Sequence, residues 1–215
     1  MISDWEKMWE KGETFWIADE FNEGLTTHFD NSTVHSAFVP LCGNTLDMIF
    51  LRNNGVSVVG VEFNESAVKR FFEENDLQYE RHEASPLPYY KTKNGVEVRI
   101  YVGDLYKFRS TKKFDLIWDR GSMVAINPDD RGRYGVLLSS LLSDHGQILI
   151  EALRFGENKK DDIFKNIGPP GAPYNLLTSH LENIYLNHDI KILSMSDWDH
   201  PMFGSVQRSY IQVRK

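Results

Sequence analysis

The chain has 215 residues, 41% of them hydrophobic, enough for one buried core, so a single domain spanning 1–215 is expected. Acidic residues outnumber basic ones 31 to 24, for a formal charge of -7, so the basic surface behind sequence-independent nucleic-acid affinity is missing. The lone Cys42 excludes an intrachain disulfide or a cysteine zinc site, and residues 1–11 carry neither the apolar core of a secretory signal nor a membrane-spanning run. The expectation is a soluble cytoplasmic chain without nucleic-acid or membrane partners.

In chain order, the first segment alternates charged and aromatic residues and sets Trp5 and Trp9 four apart, a helical spacing. Residues 34–41 are mostly apolar and stop at Gly43, as a buried strand entering a tight turn does. A helix follows over 45–53, with Leu46, Ile49 and Phe50 in phase and Asn54-Gly55 as its left-handed end. Residues 56–62 read as a second buried strand, and Asn64 is placed to cap a helix over 65–75 whose Val68, Phe71 and Phe72 share a face. The polar stretch 78–95, with Pro86 and Pro88, reads as a surface insertion with room for a strand or two.

Strands are expected at 97–102 and 114–118, and a helix at 129–142 with Tyr134, Leu137, Leu138 and Leu141 in phase. A fifth strand at 147–153 follows. Beyond a Pro/Gly loop at 168–173 the pattern predicts a helix around 175–187 and two late strands, 190–197 and 205–213. Strands alternating with helices require a mostly parallel sheet covered by its crossover helices, so the fold class is α/β.

In open α/β sheets ligands bind beyond the carboxyl ends of the strands. The candidate site is therefore the set of turns holding Leu41-Cys42-Gly43, Glu62-Phe63, Gly103-Asp104-Leu105 and Trp118-Asp119-Arg120-Gly121. Glu62 stands nineteen positions after Gly43, about the interval at which an acidic residue accepts ribose hydroxyls. A dinucleotide pyrophosphate needs close backbone approach at several glycines, and Leu41-Cys42-Gly43-Asn44-Thr45 offers one. That speaks against an NAD-dependent oxidoreductase and for S-adenosylmethionine (SAM), a phosphate-free nucleoside whose sulfonium attracts aromatic faces. Trp5, Trp9, Phe15 and Trp16 supply such faces, Asp104 an acceptor for the adenine amino group, and Leu105 a surface for its ring.

The residues WEKMWEKG (5–12) before Thr14, VPLCGNTLDM (39–48), VVGVEFNE (58–65) and FDLIWDRGSMVAINPDDR (114–131), followed by Gly168-Pro169-Pro170, resemble the thiopurine S-methyltransferase family from end to end. The resemblance implies a class I methyltransferase (Rossmann-like) sheet of seven mostly parallel strands, the last antiparallel, with helices on both faces. It implies SAM as cofactor, S-adenosylhomocysteine as product, and Trp5, Trp9, Trp16, Leu41, Gly43, Glu62, Phe63, Asp104, Leu105 and Arg120 as the residues that hold them. The N-terminal segment 1–30 is expected to cover this site. The implied reaction is methylation of a small aromatic or heterocyclic thiol, or a selenium or tellurium analogue, by a monomer.

Arg120 is expected to favour the thiolate electrostatically with Asp119 orienting it, and Asp119 and Asp130 are also its nearest candidates for a structural ion pair. Mammalian members of the family carry an arginine before the last strand, whereas here the stretch reads Asp197-Trp198-Asp199-His200-Pro201, acidic and unsuited to an anionic substrate. Two neighbouring readings are a halide or thiocyanate methyltransferase and a SAM-binding member without turnover. Cys42 reads as a core residue, Asn127-Pro128-Asp129 as a turn feeding a helix, and the seven histidines show no metal spacing, so no metal site is expected.

Overall fold

A computed structural model describes residues 2–12, 14, 16–155, 172–200 and 204–215; Phe15, Gly168-Pro169-Pro170 and Pro201 lie outside the described residues. Helices α1 (Ile2–Lys11) and α2 (Glu23–His28) precede β1 (Ser36–Pro40), α3 (Asp47–Asn53), β2 (Ser57–Glu62) and α4 (Glu65–Glu74). Next come β3 (Tyr79–His82), β4 (Tyr89–Thr92), β5 (Val98–Val102) and β6 (Phe114–Arg120). The chain continues through α5 (Ser122–Ala125), α6 (Arg131–Leu141), β7 (Leu142–Phe155), α7 (Thr178–Ile184), β8 (Asp189–His200) and β9 (Gly204–Arg214). These residues fall into two compact units, one of 14–118 with 141–146, the other of 119–140, the residues from 147 onward and the N-terminal segment.

In the first unit the strands run in the order β3-β4-β5-β2-β1-β6. β1 pairs in parallel with β2 and β6, and β2 with β5. Ala37 stands opposite both Val58 and Leu116, and all three are buried, which is why these strands read as continuous apolar runs. Asp115 fixes where the ladder begins: its Oδ2 accepts the N–H groups of His35 and Ser36 at 3.1 and 3.0 Å. The fully buried Trp118 donates its indole N–H to Asp47 Oδ2 at 2.8 Å, and Asp47 Oδ1 accepts Asn22 N–H at 2.8 Å.

Asn64 caps α4 as expected, accepting Ser66 and Ala67 N–H at 2.9 and 3.1 Å, worth about 1 kcal/mol. Val68, Phe71 and Phe72 are buried, each stabilising by roughly 1.5–3 kcal/mol. In the second unit β9 pairs antiparallel with β7 on one side and β8 on the other.

The strand count needs correction. Nine strands, not seven, are present among the described residues, and the sheet is mixed: parallel pairs join β1, β2, β5 and β6, whereas β3–β4, β4–β5, β7–β9 and β8–β9 are antiparallel pairs. The two extra strands are the hairpin β3–β4 inside the polar stretch, whose residues Tyr79–His82 and Tyr89–Thr92 carry little apolar signal and become strands because β4 pairs with the edge of β5. The last strand is antiparallel, as expected. The short α2 and α5 were not anticipated, because one or two turns leave too few residues for a periodic pattern.

Candidate functional site

The turn after β1 is held in a backbone conformation that the sequence does not favour. Leu41 sits at φ 45 and Gly43 at φ 52; a non-glycine residue in the left-handed region costs about 1–2 kcal/mol, a strain characteristic of ligand-binding turns. Two bonds hold it, Cys42 N–H to Val61 O at 3.1 Å and Gly43 N–H to Glu62 Oε2 at 2.9 Å. Glu62 closes β2 with only 3% of its surface exposed, and its other oxygen, Oε1, accepts Asn64 N–H at 2.9 Å. Burial raises its carboxyl above the ordinary range, against the pull of the backbone N–H groups of Asn64, Gly43 and Phe63.

The turn after β5 is tied to the same carboxylate residue, because Gly103 N–H donates to Glu62 O at 2.9 Å. Asp104 Oδ1 accepts Tyr106 N–H at 2.9 Å and so starts a single 3-10 turn over Leu105–Lys107, with Leu105 buried and Phe63 half-buried. The structure thus gathers Leu41, Gly43, Glu62, Phe63, Asp104 and Leu105 at one edge of the parallel strands. A carboxylate has about four lone-pair positions, and the backbone N–H groups of Gly43, Asn64 and Phe63 do not fill them, so Glu62 keeps capacity to accept from a ligand hydroxyl. Together with a turn lacking a multi-glycine phosphate cradle, this donor and acceptor set fits a phosphate-free nucleoside.

In the second unit Asp119 and Arg120 part company. Asp119 is fully buried; its Oδ1 accepts Met123 N–H at 2.9 Å and its Oδ2 the Tyr134 hydroxyl at 2.8 Å. Burial pushes its carboxyl up to about 6, although those donors and the charge of Arg131 favour the ionised form. Arg131 is itself buried, donating from Nε to Met123 O at 3.1 Å and from Nη1 to Asn175 O at 3.1 Å. The sequence offered Asp119 and Asp130 as ion-pair partners for Arg120, but its partner is Glu151: Arg120 Nε lies 3.7 Å from Glu151 Oε2. Glu151 Oε1 in turn accepts the Tyr210 hydroxyl at 3.2 Å.

Trp5 and Trp9 both lie on α1, in keeping with their spacing, Trp9 buried and Trp5 half-buried; Trp16 is half-buried beyond the helix. The acidic stretch before the last strand is not a loop over 197–200 but the end of β8, where Asp197 and Asp199 are exposed. The guanidinium of Arg208 on β9 lies 4.9 Å from the Trp198 ring centre and 5.3 Å from that of Tyr210. Sequence reasoning missed Glu151, Tyr134, Arg131 and Arg208. Glu151 had a readable signal, one acid inside the apolar run Ile148-Leu149-Ile150-Glu151-Ala152-Leu153, where an unpaired charge is too costly to persist.

Cys42 is buried, and burial together with the Glu62 charge raises its thiol well above the ordinary value, which makes it a poor nucleophile. Asn127 caps the 3-10 turn Pro128–Asp130 through Asp129 N–H at 3.0 Å. Among the described residues no cluster of His, Cys, Asp and Glu side chains is arranged to hold a metal, and no helix is long and apolar enough to cross a membrane.

Comparison with known proteins gives the family and the fold. The chain matches the family model for thiopurine S-methyltransferase (TPMT) over residues 2–212. It is 36% identical over 178 residues to the probable thiopurine S-methyltransferase of Danio rerio, covering 79% of this chain and 74% of that one. It is 32% identical over 178 residues to the thiopurine S-methyltransferase of Equus caballus, covering 79% and 70%. Among solved structures it resembles a SAM-dependent methyltransferase of Methanosarcina mazei, with TM-score 0.64 and 12% identity over 91% of this chain and 98% of that one. It also resembles the magnesium protoporphyrin IX methyltransferase of Synechocystis PCC 6803 with bound S-adenosylhomocysteine, with TM-score 0.61 and 14% identity over 97% and 95%. At those identities the structural likeness is one of fold, whereas the family match spans nearly the whole sequence: this chain belongs to the thiopurine S-methyltransferase family and is a SAM-dependent S-methyltransferase.

Proposed function

We propose that this enzyme methylates the sulfur of a small aromatic or heterocyclic thiol, with selenium and tellurium analogues as further acceptors, working as a cytoplasmic monomer. The observation that carries the acceptor chemistry is Arg120: its only partner among the described residues is Glu151, on the Nε side, so its two terminal nitrogens remain as donors. A guanidinium with a free pair of donors favours a thiolate over a thiol, and the thiolate is the nucleophile. The curated relatives named as thiopurine S-methyltransferases support sulfur as the acceptor atom.

SAM, when bound, supplies a methyl group activated by its sulfonium. Glu62 accepts the ribose hydroxyls, Asp104 the adenine amino group through the oxygen its 3-10 turn leaves over, and Leu41, Gly43, Phe63 and Leu105 shape the nucleoside surface. Trp5, Trp9 and Trp16 supply aromatic faces to the cation, with the N-terminal segment serving as a cover. The new sulfur–carbon bond forms as the sulfonium–carbon bond breaks, and the opposite charges of thiolate and sulfonium cancel. What the chain must contribute is alignment, exclusion of water and a poised thiolate. Asp119 contributes through the turn it holds, bonding the N–H of Met123 three residues beyond Arg120.

The test is a methyl-transfer assay over thiophenols, mercaptopurines, selenols and iodide with native enzyme and an Arg120→Ala variant. The variant is expected to bind S-adenosylhomocysteine within about tenfold of the native enzyme while losing far more turnover with thiols. Equal losses in both would contradict the role given to Arg120. Methylation of iodide without any aromatic thiol would point instead to a halide methyltransferase, and binding without turnover of any acceptor to a SAM-binding member.

A further inference from the structure

We infer that Glu151 is the positioning residue for Arg120, an inference that rests on the acceptor-activating role proposed above. Glu151 is a carboxylate in the middle of β7, only 7% exposed, with Ile150 and Ala152 on either side also buried. A charge there is tolerated only with partners, and its two oxygens have separate ones: Oε2 faces Arg120 Nε at 3.7 Å, and Oε1 accepts the Tyr210 hydroxyl at 3.2 Å. Tyr210 is the residue directly opposite Glu151 in the β7–β9 register, so the phenol is placed by the ladder itself. Tyr210 holds the carboxylate, and the carboxylate holds the guanidinium.

The side of the guanidinium that is engaged decides what it can do. A guanidinium offers five N–H donors in a fixed fork, and an acid on the Nε edge leaves the terminal Nη pair as a planar bidentate donor. An acid on the terminal pair would have consumed the face an anion needs. At 3.7 Å the contact is an ion pair and not a short hydrogen bond, which suits a residue that must hold its direction and still adjust to an acceptor. The side chain of Arg120 is 22% exposed against 9% for Glu151, so the carboxylate is the fixed member of the pair.

Glu151→Gln separates positioning from packing, because glutamine fills the same volume and still accepts from Tyr210 but carries no charge. Its kcat/KM for an aromatic thiol is expected to fall about tenfold, with the KM for SAM unchanged within about twofold. In an Arg120→Lys background, where the fork is gone, the same substitution is expected to change kcat/KM by less than about twofold. Equal losses in both backgrounds, or no loss in either, would overturn the inference. A second readout needs no turnover. The Arg120 Nε–H signal in the nitrogen-15 spectrum, assigned by its loss in Arg120→Lys, is expected to be sharp in the native protein and broadened by faster proton exchange in Glu151→Gln. An unchanged signal would overturn the inference even if no thiol were methylated, whereas absence of thiol turnover in the native enzyme with the broadening intact would overturn only the acceptor assignment.

Discussion

Replacing Glu62 by glutamine separates what this carboxylate does for the cofactor from what it does for the fold. In the native chain both oxygens accept backbone N–H groups, Gly43 at Oε2 and Asn64 at Oε1, each at 2.9 Å. Glutamine keeps one acceptor and turns the other into an NH2 group, a donor facing a donor. One charge-assisted hydrogen bond is lost, about 1.5–3 kcal/mol. Against that loss stands the desolvation of a buried carboxylate, the leading cause of the raised Glu62 carboxyl, and a neutral amide removes it. The two effects oppose each other in the free protein, so its net change in stability is expected to be smaller than that loss.

Cofactor affinity has no such compensation, because the charged acceptor for the ribose hydroxyls is gone. A loss of about 1.5–3 kcal/mol there is a rise of about tenfold to a hundredfold in the dissociation constant of S-adenosylhomocysteine. Calorimetric titration near pH 7.5 measures that constant, and a urea melt without ligand checks that the variant is folded. A variant with native stability whose affinity stays within about twofold of the parent would refute the assignment of Glu62 to the ribose.

Two further outcomes follow from the buried groups. Asp119 titrates at about 6 in the folded chain, against about 3.9 unfolded, so the fold binds its proton more tightly. Its stabilising contribution is complete below about pH 4 and is lost as pH rises to about 6, a change of about 2–3 kcal/mol. Asp119→Asn lacks this titration, so urea melts are expected to shift in the variant's favour by that amount between pH 4 and pH 7; parallel curves for the two proteins would refute it. A Cβ on Gly60 would lie 2.7 Å from Cys42 Sγ, so Gly60→Ala is expected to destabilise by about 1–3 kcal/mol and Cys42→Ala in the same chain to restore at least half. Urea melts of the single and double variants decide it, and a Gly60→Ala protein as stable as the parent would contradict the close approach.

The strained turn and the buried acids share a logic. Leu41 in the left-handed region and Glu62 beneath it are each unfavourable alone, and each is held by the other's backbone neighbourhood through the Gly43 and Cys42 bonds. Asp119 repeats the arrangement, a buried carboxylate gripping the N–H groups of Ser122 and Met123 in the segment after a strand. Polar groups in such places stabilise little, but they fix backbone geometry where a ligand has to be met.

What the sequence determined by itself was local. Apolar runs of five to eight residues marked β1, β2 and β6, a cap at Asn64 marked α4, and the interval from Gly43 to Glu62 marked a pair of turns that a hydrogen bond joins. The WDRG block and its companions pointed to the family by themselves, because a long run of unusual residues is improbable by chance. Only the tertiary structure decided the hairpin β3–β4, which exists by pairing with β5, and the partner of Arg120. Asp119 and Asp130 were nearer in the chain, yet Arg120 found Glu151, itself held by Tyr210 fifty-nine residues further on. The physical reason is that periodicity and capping are set by neighbours a few residues away, whereas strand pairing and ion pairing depend on which distant segments the folded chain brings together.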